Sequence, residues 1–257
     1  MQITEYIPTD QLKPYVKTFK IIESRNGITN TVLPNTSFAL SFNFKGQISY
    51  LNNKEKTVLQ FATFSGLQKT VRQINYDTDT SAIIILFNEI GVSAFFKNSL
   101  HELFGESISL DNILPTNEIS ILQEQILGKQ SNYEKIAVVE QFLLSKLNPY
   151  DTDIIVSKAI SKINITNGNV RVKELSKELF ISQDAFEKRF KKVIGTTPKQ
   201  FSHIVKMNSV ISQCQSTSSF LDIALENGFY DQPHFNNDFK KFAGQSPTDF
   251  FHSASYW

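Results

Sequence analysis

Apolar and polar positions alternate along the first hundred residues of this chain, and the period lengthens to three or four residues over the last hundred. Phe38, Leu40, Phe42 and Phe44 fall on every second position, which places one face of a strand inward. Similar short runs at 47–51, 57–61, 69–74 and 82–87 are separated by turns rich in Asn, Gly and Lys, and together they predict a small β-sandwich or barrel. Residues 90–104 read as helical, as do 117–147 with a break near Gly128. Asn148-Pro149 then marks a boundary. The predicted layout is a β-rich unit over 1–116, a helical segment over 117–149 and an all-helical unit over 150–257.

The helical unit contains a repeat. The pattern FKK-x-x-G-x-[ST]-P-x-x-F runs from Phe190 to Phe201 and again from Phe239 to Phe250, 49 residues later. At the same offset Phe186 matches Phe235, Ser182 matches Asp231, Ile181 matches Tyr230, Phe180 matches Phe229 and Leu175 matches Ala224. Each copy predicts a short helix, a turn, and a second helix with Phe at i and i+4. Ser182 and Asp231 are the N-caps, Pro233 sits in a first turn, and Gly195 and Gly244 end the second helices. Leu221, Ala224 and Leu225 make the inward face of the first helix of copy two, which Gly228 ends. Two helices joined by a three- or four-residue turn make the helix-turn-helix unit, whose second helix enters the DNA major groove. Pro198 opens a further helix between the copies, with Phe201, Ile204, Val205, Met207, Val210 and Ile211 at near-helical spacing.

Within 223–247, the spacing of Ala224, Gly228-Phe229, Phe235, Phe239-Lys240, Gly244 and Pro247 resembles the signature of AraC-family transcription regulators. The resemblance covers about residues 155–252. The amino-terminal half is similar, less specifically, to the sensor regions of such regulators. The residues that carry this likeness are Leu33-Pro34-Asn35, Ser65-Gly66-Leu67 and 87–92 leading into Phe95-Phe96. The implied fold is α+β: a β-rich, cupin-like amino-terminal domain, then an all-α domain with two helix-turn-helix units joined by a linker helix. The implied function is sequence-specific regulation of transcription, as an activator controlled by an effector. Double-stranded DNA, RNA polymerase and a second copy of the chain are the expected partners. The linker helix would hold both reading helices on one side of the duplex, about 34 Å apart.

With the Phe pairs inward, Gln183, Asp184, Glu187 and Lys188 point outward in copy one, and Gln232, His234, Asn236 and Asn237 in copy two. Asn and Gln suit adenine, Lys suits guanine, and Glu accepts from cytosine. Asn237 stands where the family often has Arg. Arg189, Lys191, Lys192, Lys199, Lys240 and Lys241 are the phosphate candidates. The outward positions of the two copies differ, so one chain is expected to read an asymmetric site. Phe38, Phe42, Phe61, Phe64 and Phe87 are candidates to line an effector pocket, although filling the core is the commoner use of such residues. Lys17, Lys69 and Arg72 are the cations that could hold an acidic effector.

Composition narrows the alternatives. Residues 150–257 carry 13 Lys/Arg against 11 Asp/Glu, weakly basic for a DNA-binding module. That balance and Asn237 leave open a small-molecule binding protein whose DNA-binding half has decayed. Control by a partner protein, with the sandwich solid inside, is a further alternative. Cys214 is the single cysteine, in apolar company, so it reads as core, with no disulfide and no zinc cluster. The amino-terminal half holds one histidine, His101, so no metal site is expected there and no cofactor anywhere. Neither a signal-peptide pattern nor a membrane-length apolar run is present, which predicts a cytoplasmic protein. No nucleophile elbow, Walker loop or dinucleotide fingerprint occurs, so no enzyme is expected. The segment 117–147 is expected either to cover the sheet or to dimerise.

Overall fold

A computed structural model describes residues 1–52, 55–96, 100–149, 153–214 and 220–252, with backbone only at Asn52, Phe220 and Leu221. Ten strands form two antiparallel sheets among the described residues. The larger sheet comprises β1 (Gln2–Tyr6), β2 (Val16–Ser24), β4 (Ala39–Lys45), β7 (Ala62–Ser65), β9 (Thr80–Phe87) and β10 (Ser107–Ser109), in the order β1-β2-β9-β4-β7-β10. The smaller comprises β3 (Ile28–Val32), β5 (Ile48–Asn52), β6 (Glu55–Val58) and β8 (Arg72–Tyr76), in the order β3-β8-β5-β6.

Both faces of the larger sheet are covered. Phe19, Leu40, Phe42, Phe64, Ile83 and Ile85 point to one side and are fully buried. Their neighbours Lys20, Ile22, Ala39, Ser41, Ser65 and Ile84 point to the other, toward the second sheet. The aromatic face packs on two helices, α1 (Thr116–Leu127) and α2 (Asn132–Lys146), where Phe142 meets Phe42 edge-on with centroids 6.2 Å apart. Gly128 caps α1. Ser131 and Glu134 form a reciprocal capping box that starts α2: the Ser131 hydroxyl accepts from the Glu134 N–H at 3.2 Å, and the carboxylate accepts from the Ser131 N–H at 3.0 Å.

Two local expectations fail. Residues 90–104 do not make one helix; 3-10 turns at Gly91–Ala94 and Leu100–Leu103 replace it among the described residues. Here Val92, Ala94, Phe95, Phe96, Leu100 and Leu103 are all buried, so the apolar content reflects an enclosed connector rather than one face of a helix. Strands β1 to β3 and β10 were not foreseen; in β2, Lys17, Lys20 and Glu23 interrupt the apolar run with charge.

The carboxy-terminal half is helical: α3 (Ile154–Ile165), α4 (Val172–Glu178), α5 (Gln183–Ile194), α6 (Pro198–Cys214), α7 (Phe220–Glu226), α8 (Gln232–Ala243) and α9 (Pro247–His252). Phe186, Phe190 and Ile194 of α5 join the same continuous core as the sheet's aromatic face. A second core gathers Phe235, Phe239, Phe242 and Phe250. Helix α6 belongs to both: Phe201 lies in the first, and Ile204, Met207, Val210, Ile211 and Cys214 in the second. Burial pushes the Cys214 thiol up to about 11, so it stays protonated at neutral pH. Ala224 is buried as expected, but Leu225 is 48% exposed rather than inward, and Ile223 fills the interior in its place.

The β-rich half touches both helix-turn-helix units. Gly195, left-handed at φ 77°, ends α5 so close to the Leu100 carbonyl that a Cβ there would lie 2.5 Å from its oxygen. At the second unit the Val71 N–H donates to the Phe242 carbonyl at 3.1 Å, and the Asn208 side-chain amide on α6 donates to the Pro34 carbonyl at 3.1 Å. Gly195→Ala therefore meets both the left-handed penalty and a backbone clash. It should cost about 2 kcal/mol or more in urea denaturation; a loss under 0.5 kcal/mol would show that the Leu100 contact yields freely.

Candidate nucleic-acid interface and inter-sheet cavity

Helices α5 and α8 are built alike. Ser182 accepts from the Ala185 N–H at 3.4 Å and Asp231 from the His234 N–H at 2.8 Å, so each helix starts at a side-chain cap. Gly195 and Gly244 end them at φ 77° and 81°. Between cap and stop, Phe186 and Phe190 are fully buried in one, Phe235 and Phe239 in the other. Ring contacts continue inward: Phe190 meets Phe201 at 5.5 Å, and Phe239 meets Phe250 at 5.2 Å.

This burial decides what faces out. Gln183, Asp184 and Lys188 are exposed on α5 with Glu187 half-buried; Gln232, His234, Asn236 and Asn237 are exposed on α8. The Gln183 side-chain amide donates to Glu187 at 2.8 Å, so those two are held together before any base arrives. Lys191, Lys192, Lys199, Lys240 and Lys241 are exposed. Arg189 differs, because its Nε meets the Asp153 carboxylate at 2.5 Å and ties α5 to the start of α3. His234 lies 3.7 Å from Asp238, and no group of metal-ligating side chains occurs among the described residues.

The first helices of the two units follow a different offset. The Phe180 N–H donates to the Lys177 carbonyl, and the Gly228 N–H to that of Leu225. The Ile181 N–H reaches Ser176, and the Phe229 N–H reaches Ala224. Leu175 thus corresponds to Ile223, Ser176 to Ala224 and Phe180 to Gly228, 48 residues apart rather than 49. The turn of the second unit is one residue longer. A single offset carried through the whole repeat conceals this, because a turn can absorb a residue where a packed helix cannot.

Residues 175–253 match the model of a helix-turn-helix domain. They form an AraC-type helix-turn-helix domain. Residues 4–109 match the model of a domain of unknown function, DUF6597. No curated protein matches the chain. Among solved structures, ToxT from Vibrio cholerae is similar at 13% identity over 91% of this chain and 97% of that one, with a TM-score of 0.47. Wild-type ToxT from Vibrio cholerae strain SCE256 bound to an unsaturated fatty acid is 13% identical over 90% and 93%, with a TM-score of 0.43. A transcriptional regulator with an AraC-type DNA-binding domain, from Chromobacterium violaceum, is 22% identical over 37% of this chain and 87% of its own, with a TM-score of 0.35.

Away from the AraC-type domain, a cavity of about 230 Å³ lies between the two sheets. Aliphatic side chains such as Ile22, Ile48, Leu59, Ile74 and Ile84 line most of it. Of the five phenylalanines proposed for an effector pocket, Phe38, Phe42, Phe64 and Phe87 are fully buried in the core on the other side of the sheet, and Phe61 packs on Phe42. None lines the cavity. Alternation shows that a strand has two faces, but when both are covered it does not show which one meets a helix.

Arg72 does line the cavity; Lys17 and Lys69 are exposed elsewhere. Its guanidinium lies 4.2 Å over the Tyr50 ring and donates to the Ser107 hydroxyl at 2.7 Å and the Gly105 carbonyl at 3.0 Å. Ser65, Ser107 and the Tyr50 hydroxyl are mutually hydrogen-bonded beside it. Burial drives the Tyr76 phenol well above its ordinary range, with Tyr50 adding to the shift, so Tyr76 stays neutral.

The α8 side of the AraC-type domain carries a pH dependence. His203 on α6 meets Phe242 edge-on at 6.1 Å. Burial holds its pKa below 6.5 and Lys206 pushes the same way, while Asp238 opposes them. The folded value lies below the unfolded one, so this contribution is intact above about pH 6.5 and is lost as pH falls through the folded value. Thermal melts of wild type should weaken below that pH, and His203→Gln should flatten the decline. An equally steep decline in the variant would place the acid sensitivity elsewhere.

Proposed function

We propose that this chain is a sequence-specific DNA-binding transcription regulator, an activator that works in the cytoplasm as a homodimer and responds to an effector in the inter-sheet cavity. The observation that carries the reading is the pair of capped helices, α5 and α8, whose buried Phe pairs leave polar and cationic faces exposed on both. Phosphate contacts by Lys188 and Lys240 would set register, and the unlike outward residues would read unlike half-sites. Dimerisation is assigned to the outer side of the α1–α2 pair, where Ile121 and Leu127 stay half exposed.

The cavity supports control by a small molecule over control by a partner protein, since the sandwich is not solid. An apolar interior with one guanidinium at a polar end suits a compact apolar acid. The two segments of the β-rich half that are hydrogen-bonded to α6 and to the end of α8 continue directly into the cavity wall. Arg72 follows Val71, which is bonded to the end of α8, and Asn35 follows Pro34, which is bonded to α6. A ligand that shifts either wall therefore acts one residue away from a contact with the second unit. This gives the differential interaction that allosteric control requires.

DNA selected from a random pool by the purified protein should bind with strong salt dependence. Lys188→Glu and Lys240→Glu should each weaken binding and lower the salt slope by about 1. Wild-type binding that is absent both with and without candidate acids would count against the reading. For the effector, short apolar carboxylates should raise the melting temperature of wild type by several degrees and leave Arg72→Leu unmoved. Equal shifts in both proteins would remove Arg72 from the site.

A further inference from the structure

The one-residue difference between the two turns leaves an aromatic side chain standing free in each. Phe180 is 97% exposed and Tyr230 is 88% exposed. Phe180 lies two residues before the Ser182 cap of α5, and Tyr230 lies immediately before the Asp231 cap of α8. The equivalent of Phe180 in the second unit is Gly228, at φ 74°, and Phe180 itself is held at φ 55°. Left-handed backbone suits Gly and disfavours a bulky residue. Folding stability therefore gives no reason for Phe at this position, and its ring covers nothing within the fold.

We infer that Phe180 is a DNA-contacting residue, which packs on a thymine C5-methyl group at the edge of the major groove entered by α5, with Tyr230 at the matching place beside α8. The inference rests on the DNA-binding reading above. In that reading the amino-terminal end of the second helix meets the base edges, so the turn that leads into its cap borders the groove. An apolar ring there meets the one apolar group that base pairs display in the major groove, the thymine methyl. Gln183 and Lys188 on the adjoining exposed face supply the polar and cationic contacts that the ring lacks. Each unit carries an exposed aromatic side chain in the turn before its second helix, one on a strained backbone and the other on an inserted residue. Strained, exposed residues gather at functional sites.

The test uses the full chain and a duplex selected by wild type from a random pool. Affinities of wild type, Phe180→Gly and Phe180→Leu are compared on that duplex and on versions with single thymines replaced by uracil, which removes only the methyl. Phe180→Gly should melt at the same temperature as wild type or higher, because Gly relieves the positive φ, yet bind about fivefold more weakly. It should also no longer distinguish thymine from uracil at the base bordering the α5 half-site, while Phe180→Leu keeps part of the distinction. Unchanged affinity, or a fall in affinity that still distinguishes thymine from uracil, would overturn the inference and leave the DNA-binding reading standing. A change confined to self-association in sedimentation would overturn it too, by assigning the ring to a contact between copies. Failure of wild type to select any duplex would overturn both.

Discussion

The rest of the structure depends on the burial of two phenylalanines one turn apart on each of α5 and α8. Phe186 and Phe190 meet edge-on at 5.7 Å, Phe235 and Phe239 at 5.6 Å, and all four are fully buried. Truncating any of them would leave a cavity costing about 3–5 kcal/mol, a large share of the stability of an ordinary domain. No rotation of either helix that exposes this face is affordable. The outward residues are consequently fixed by what points inward, and the polar face is a by-product of the aromatic one.

That constraint also explains how much of the fold was legible. Caps, Phe spacing and terminal glycines of α5 and α8 could be read from residues alone, because each is a local device with a narrow choice of side chain. The turn that precedes each helix was less legible, since Phe180 occupies a conformation that residue identity argues against. In the β-rich half, the alternation of Phe38 to Phe44 gave a strand but not its neighbours. The aromatic side faces α1 and α2, and the cavity falls behind the smaller residues Ala39 and Ser41. Arg72 was recognisable as a cation on a strand, but its place at the cavity depends on sheet pairing that no local pattern encodes.

The two halves are not independent. The first unit shares its core with the sheet, while the second is held by α6, by Asn208 on Pro34 and by Val71 on the end of α8. Helix α5 is thus part of the scaffold, and α8 is attached through Leu33 packing on the second core and a few polar contacts next to the cavity wall. An effector would find it easier to move the second unit than the first. Under the proposed function, regulation would act on the geometry between the two reading surfaces and leave each surface as it is.

Hydroxyl-radical footprinting of the protein on a selected duplex tests the central claim most directly, because it reports both reading helices at once. The account predicts two protected segments on one face of the duplex, about 10 base pairs apart, with unlike sequences beneath them. A single protected segment, or two on opposite faces, would contradict it.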